Sequence, residues 1–409
     1  MFTTLNPTSS PARAPGKPAT ARLAFLLLFP GFFFYQTLIG LGAMPALLGG
    51  YFSIVSIMLF FPLGLSYVIA TKAAGGRVSR TDLQFAFFLA YFLVVVAINA
   101  AFGAAEAVTI QTHLLSILFF VNIYLIFKTI DFAERTTRAW AIASLLAMSA
   151  IIFYFSAGGV FQPGQVGDAK SPESLATYQG FARSYALTFV GVICFTRHAA
   201  ARLVLYGIAG AAMFLNGSRS ELVAVLCLIP LVELYRAKSR LNMMCVVLVV
   251  LAVAGLNLEH AVQSMPENRV WELFDLAQSD SSQARHHMAQ RALRTIAEHP
   301  LLGEYASYPH GQYSHDILSA WVDLGLFGFA YLLFMLVPTA FKLFAGGWLL
   351  RARSGEFLLA CSLICMALLL LVTAKTFDDM LVGAALGAYA HYRSPQRHAV
   401  HKGGGWFYD

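Results

Sequence analysis

Apolar stretches of about 20 residues recur along this chain from residue 22 to residue 391, and that recurrence leaves few folds open. In hydrocarbon every backbone N–H and C=O must be satisfied inside the protein, so each stretch reads as a helix, and about 20 residues at 1.5 Å each match the roughly 30 Å of a bilayer core. Twelve such helices are predicted, at 22–43, 45–70, 83–103, 110–130, 138–158, 181–196, 201–216, 219–235, 241–258, 315–345, 357–374 and 377–391. With 58% hydrophobic and 12% charged residues, against about 25% charged in soluble domains, a soluble fold is excluded. The expected fold class is an all-α polytopic membrane protein of about 12 transmembrane helices with one large, partly helical loop.

Positive residues in short connections favour the cytoplasmic side. Arg13, Lys17 and Arg22 precede the first stretch, and every second connection is then basic: Lys72, Arg77 and Arg80; Lys128, Arg135 and Arg138; Arg197 and Arg202; Arg236, Lys238 and Arg240; Lys342, Arg351 and Arg353; Arg393, Arg397 and Lys402. The intervening connections, near Glu106 and at 159–180, 217–220, 259–314 and 375–379, are longer or poorer in cations. This alternation puts both termini in the cytoplasm and the 259–314 loop on the far side. It also accounts for the net charge of +7, so nucleic acid is not an expected partner. The predicted organisation is a disordered cytoplasmic leader (1–21, rich in proline), helices one to nine (22–258), an outer loop carrying the chemistry (259–314), helices ten to twelve (315–391) and a cytoplasmic tail (392–409).

Cys194, Cys227, Cys245, Cys361 and Cys365 all lie within predicted spans, where cysteine packs as a small apolar residue, so no disulfide framework is implied. Cys361 and Cys365 stand one helical turn apart without carboxylate or histidine neighbours, and His286 and His287 point in different directions on a helix; no metal site is expected. No internal repeat or duplication of halves is visible.

Ionisable groups at the outer face are few and concentrated. The run Tyr313-Ser314-His315-Asp316, followed by Asp323-Leu324-Gly325-Leu326-Phe327-Gly328, sets a histidine and a carboxylate at the seam between the long loop and the tenth span. Arg183 opens the sixth span and Arg219 the eighth, at the same surface. Within the loop, Met288, Ala289, Ala292, Leu293 and Ile296 recur with helical spacing until His299-Pro300 stops the run, which predicts an amphipathic helix of about 17 residues bearing Arg285, His286, His287, Arg291 and Arg294. Each residue also has a bland reading. Arginines at span ends usually snorkel to the interface, His315 reads equally as a cap or a satisfied loop histidine, and Asp323 near a helix end is open to hydration. Arg219 resists that reading most, because an outer arginine runs against the orientation rule.

Arginine forks bind phosphate oxygens bidentately and stay charged, so two or three facing one cavity suit a diphosphate; a nearby histidine has the pKa to take a proton from a hydroxyl. A diphosphate held at the outer face of a membrane suggests a polyprenyl-linked glycan, with an acceptor hydroxyl attacking the anomeric carbon and arginines doing what a divalent metal does elsewhere.

Residues 285 to 328, with Arg285, His299-Pro300-Leu301-Leu302-Gly303, His315 and Gly325-Leu326-Phe327-Gly328, resemble the outer loop and following helix of the bacterial O-antigen ligase and O-antigen polymerase superfamily. Ser218-Arg219-Ser220 resembles that superfamily's Ser-Arg motif, and Arg183 falls where an upstream arginine is expected. The resemblance implies a metal-independent, inverting glycosyltransferase of the bacterial inner membrane, without a cofactor, acting at the periplasmic face on undecaprenyl-diphosphate glycans. His315 would be the catalytic base, Arg183, Arg219 and Arg285 the diphosphate ligands, and Asp316 a supporting residue. Asp316 stands where an asparagine commonly follows the histidine, Tyr305 where a second glycine is expected, and Met288 and Ala289 where an aromatic often follows the loop arginine. The acceptor is a lipid A-core sugar for a ligase and another lipid-linked glycan for a polymerase, and the sequence does not choose. A transporter or flippase of lipid-linked glycans is the alternative; it calls for polar breaks at mid-membrane, where only Gln36, His113 and Asp323 stand out.

Overall fold

The computed structural model describes residues 19–48, 50–73, 76, 78–103, 105–157, 159–161, 178–237, 239–256, 270, 280–308, 314–349 and 353–402. Most of the predicted leader, residues 257 and 258 at the end of the ninth stretch, residues 259–269, 271–279 and 309–313 of the long loop, and the tail from 403 lie outside the described residues.

Thirteen helices are described: α1 (Ala19–Gly40), α2 (Tyr51–Ala73), α3 (Arg80–Ala101), α4 (Ala107–Thr129), α5 (Arg135–Tyr154), α6 (Tyr178–Ile193), α7 (Ala199–Leu215), α8 (Arg219–Arg236), α9 (Arg240–Leu256), α10 (Asp280–Glu298), α11 (Leu318–Leu349), α12 (Gly355–Thr373) and α13 (Leu381–Lys402). Each of the twelve predicted stretches falls on one of them, and α10 is the amphipathic loop helix, ending where His299-Pro300 was expected to stop it. Seven, α1 to α5, α11 and α12, are long and apolar enough to cross a membrane, and α7 is a shorter apolar helix. The chain is thus an all-α polytopic membrane protein. Helix α8 carries Arg219, Glu221, Glu233 and Arg236, while α6 and α9 have 16 and 17 residues, which is short for a crossing.

Two boundaries in the first half of the chain depart from expectation, and one helix carries an internal irregularity. The second helix begins at Tyr51, after turns that follow Gly40, rather than at residue 45. Helix α5 stops at Tyr154, and a small antiparallel hairpin follows, β1 (Ser156–Ala157) paired with β2 (Val160–Phe161), which drives Phe161 against Phe33 and Phe181. Burying that aromatic is what a purely helical reading of 138–158 misses. Helix α1 contains a π turn at Leu27–Gly31 around Pro30, as expected where proline removes a ladder donor.

Buried ion pairs clamp one end of the bundle. Lys128 on α4 pairs with Asp82 on α3, which also takes Tyr124 and closes a capping box with Ser79; Arg202 on α7 grips Glu233 on α8 with two parallel bonds of 2.5 and 2.7 Å. Gly383 and Gly387, one turn apart on α13, let that helix lie directly on the α4 backbone at Phe120 and Tyr124.

The feature that positions the candidate site is a break in α11. Gly325 has φ 69° and ψ −177°, so the helix is interrupted there. Breaking a helix at membrane depth orphans backbone groups, and here the segment after α10 satisfies them. Glu304 N donates to Val322 O at 2.8 Å, Leu326 N donates to Leu301 O at 3.0 Å, and the Trp321 indole donates to Pro300 O at 2.8 Å. A Cβ on Gly325 would stand 2.5 Å from Leu301 O, and one on Gly303, also at positive φ, would strike the Val322 carbonyl. The His-Pro-Leu-Leu-Gly and Gly-Leu-Phe-Gly motifs are therefore two halves of one joint. Gly325→Ala is expected to destabilise the protein by about 1–3 kcal/mol from backbone conformation alone, with the carbonyl clash added. Gly210→Ala on α7, with open space around it, should leave the melting curve in detergent unmoved; equal melting of the two variants would mean the joint does not need its glycine.

Candidate functional site

His315 lies one turn before α11, not within it: the helix starts at Leu318, and the Asp316 carboxylate accepts from Leu318 N at 2.9 Å and from Ser314 Oγ at 2.7 Å. Asp316 is thus a helix cap whose charge still acts on the neighbouring imidazole. The imidazole itself donates to the Ala374 carbonyl just past the end of α12. That bond fixes the tautomer and leaves the other ring nitrogen with its lone pair.

The segment 374–380 between α12 and α13 forms a strap across this end of the bundle, held from every side. Arg183 on α6 donates to Asp379 at 2.7 Å, and Asp379 also caps α13 through Leu381 N at 3.0 Å. Lys375 pairs with Glu221 on α8 at 2.7 Å and donates to Gln179 on α6 at 3.2 Å. Ser218 and Ser220 both donate to the second oxygen of Glu221, so the Ser-Arg-Ser sequence orders this buried carboxylate. Phe377 N donates to Ser319 Oγ at 3.0 Å, and Asp378 takes Ser116 on α4 at 2.8 Å.

Arg285 reaches the same place from α10, its Nη1 donating to the Thr373 carbonyl at 3.4 Å. Burial, with the charges of Arg285 and Lys375, holds the His315 imidazole below its usual value, outweighing the Ala374 bond and the Asp316 charge. Of the predicted residues, His315, Asp316 and Arg285 therefore meet around the end of α12, and Arg183 reaches the other end of the strap at Asp379. Arg219 is the first residue of α8, half-buried and two positions before Glu221. Arg183 leaves its Nε buried without a hydrogen-bond partner. The remaining cations of α10 face elsewhere: Arg291 holds the Ser307 carbonyl at 2.7 Å and lies over the Tyr308 ring, while His286 bonds Gln290 and, like Arg294, is exposed.

Tyr305 and Asp323 also acquire roles. Asp323 accepts from Ala306 N at 3.0 Å, where Ala306 sits at φ 57°, and the Tyr305 hydroxyl bonds His113 on α4 at 2.7 Å. Tyr305, in place of the expected glycine, ties the loop to the bundle. Sequence reasoning missed Lys375, Asp378, Asp379 and Glu221. Their signal was there: three charged residues within five positions between two apolar helices, in a chain with 12% charge.

Residues 204–333 match a protein-family model described as O-antigen ligase. That stretch of the chain is thus similar to the O-antigen ligase family, in agreement with the resemblance its motifs carry. The matched segment holds Arg219, Arg285, His315 and both halves of the glycine joint, whereas Arg183 and the strap lie outside it. No curated protein matches the chain.

Proposed function

We propose that the chain is a glycosyltransferase that moves a glycan from undecaprenyl diphosphate to an acceptor hydroxyl, as an O-antigen ligase or as an O-antigen or exopolysaccharide polymerase. The observation that carries this reading is the meeting of His315 with Arg285 and Lys375 at the end of α12, with Arg183 on the same strap at Asp379, in a chain whose residues 204–333 match a family model described as O-antigen ligase. The ring nitrogen of His315 that does not donate to Ala374 takes the acceptor's proton as the acceptor oxygen attacks the anomeric carbon. The bond from that carbon to the phosphate oxygen breaks, and the lipid diphosphate leaves with its added charge. A single displacement inverts the anomeric centre.

Arg219, Arg285 and Arg183 bind the leaving diphosphate, which makes the reaction independent of metal. For Arg183 the support is its buried, unsatisfied Nε, since Asp379 occupies only Nη2. The acceptor is lipid A-core or a second lipid-linked glycan. Loss of the gene should remove lipopolysaccharide O-chains, capsule or secreted polysaccharide and leave a lipid-linked glycan to accumulate. Normal surface glycans without that lipid would contradict the reading.

The same reading puts the site at the periplasmic face of the inner membrane, with loop 259–314 outside and both termini in the cytoplasm, supported by the alternation of basic connections. Reporter fusions should then report residue 290 as periplasmic and residues 75, 238 and 395 as cytoplasmic. A cytoplasmic signal at 290 would remove the donor from reach.

The depressed His315 value sets a pH dependence. Transfer needs the neutral ring, so activity is full above the folded pKa and lost as pH falls through it; with that pKa lowered by burial and Arg285, the acid limb of kcat/KM should lie below the ordinary imidazole value of 6.5. A limb above 6.5 would mean that another group titrates.

A further inference from the structure

We propose that Ser116 and Asp378 are positioning residues for His315: α4 holds the strap 374–380 through them, and the strap holds the imidazole. This inference rests on the proposed role of His315 as base and concerns what fixes its geometry. The Asp378 carboxylate is shared between Thr376 Oγ1 within the strap, at 2.5 Å, and Ser116 Oγ on α4, at 2.8 Å. It therefore joins the strap's own turn to α4.

From the strap, two hydrogen-bonded routes reach His315 on opposite sides. The Ala374 carbonyl accepts from the ring. Phe377 N donates to Ser319 Oγ at 3.0 Å, and Ser319 Oγ donates to the carbonyl of Asp316, the next residue, at 2.7 Å. Ring and backbone are thus both referenced to one short segment, and that segment is tied to α4 by the Ser116 hydrogen bond and by the packing of Phe377 against His113.

The same face of α4 carries a second tie. His113, three residues before Ser116, bonds the Tyr305 hydroxyl at 2.7 Å, and Asp323 pins the adjacent Ala306 N to α11. Positions 113 and 116 therefore fix both segments that flank the seam, the end of the loop and the strap. Arg183 and Arg285 stand on α6 and α10, outside the strap, and reach it or its edge through Asp379 and the Thr373 carbonyl, whereas Lys375, within the strap, is held separately by Glu221 on α8. Loosening Ser116 should consequently disturb the base more than the anion-binding groups.

The test uses the purified full chain, a polyprenyl-diphosphate glycan as donor and a glycan acceptor. Displacing a reacting group by about 1 Å costs on the order of 100-fold in rate. Ser116→Ala is expected to lower kcat by about 10-fold to 100-fold, leave KM for the donor unchanged and keep the wild-type melting temperature, while Ser116→Thr, which retains the hydroxyl, restores most of kcat. Asp378→Asn keeps one acceptor oxygen and should fall between wild type and Asp378→Ala. A wild-type kcat in Ser116→Ala would overturn the proposal, as would a loss that tracks a lowered melting temperature and is not rescued by threonine. His315→Ala serves as the reference. If it remains active, the base assignment itself fails; if it is inactive while Ser116→Ala is normal, only the positioning role fails.

Discussion

His315→Ala is expected to insert, fold and bind the lipid-linked donor, yet transfer glycan about 100-fold to 10,000-fold more slowly than wild type, the usual cost of removing a general base. The imidazole qualifies on three counts. One ring nitrogen is committed to the Ala374 carbonyl, so in the neutral ring the other carries the lone pair; the ring is half-buried at the seam where loop and helix meet; and burial, with the nearby cations, holds its pKa below the usual imidazole value, which favours the neutral form. None of these makes His315 important for folding, because the turn it occupies is capped by Asp316 and tied down by Ser319. Donor binding measured by lipid photocrosslinking or calorimetry should therefore survive the substitution. Asp316→Asn should lose much less, since an amide oxygen still accepts from Leu318 N. Near-normal transfer by His315→Ala at matched expression would make the histidine structural and send the search for the base to Asp316, Asp323 or Glu304.

Arg219→Lys and Arg285→Lys should each lower transfer by about 100-fold to 1,000-fold, the cost of losing one donor to charge that develops in the transition state. Lysine keeps the charge but not the planar fork that meets two phosphate oxygens at once. For Arg285 a second effect adds to this: it spans from α10 to the Thr373 carbonyl, and a shorter, unforked side chain cannot both keep that bond and reach a phosphate. The measurement is single-turnover transfer with purified variants. A lysine variant at Arg219 with wild-type turnover would reduce that residue to an interface anchor.

How far the sequence alone could go follows from the kind of information each feature carries. Helices announce themselves through a run of apolar residues, so all twelve stretches and the amphipathic α10 were legible from local pattern. His315, Arg285 and Arg219 were legible as ionisable residues at helix ends in an apolar background. The break at Gly325 was not, because a glycine inside an apolar run gives no hint that Leu301 O and Glu304 N wait across the gap. The strap was missed for a related reason: 375–379 reads as a short connection, and its importance depends on Arg183 from α6 and Ser116 from α4, both more than 190 residues away in sequence. Asp316 reads from the sequence as a supporting residue beside the histidine, and its use as a helix cap depends on α11 starting at Leu318 rather than at His315.

The central claim is that this chain itself catalyses transfer from a lipid diphosphate. The purified protein should be incubated in EDTA with a polyprenyl-diphosphate glycan and a glycan acceptor, following both free polyprenyl diphosphate and the extended acceptor. The account predicts that the two products appear together, in equal amounts, and that His315→Ala slows both by the same large factor. Transfer that appears only when magnesium or manganese is restored, or movement of intact lipid-linked glycan across a vesicle membrane without release of polyprenyl diphosphate, would contradict it.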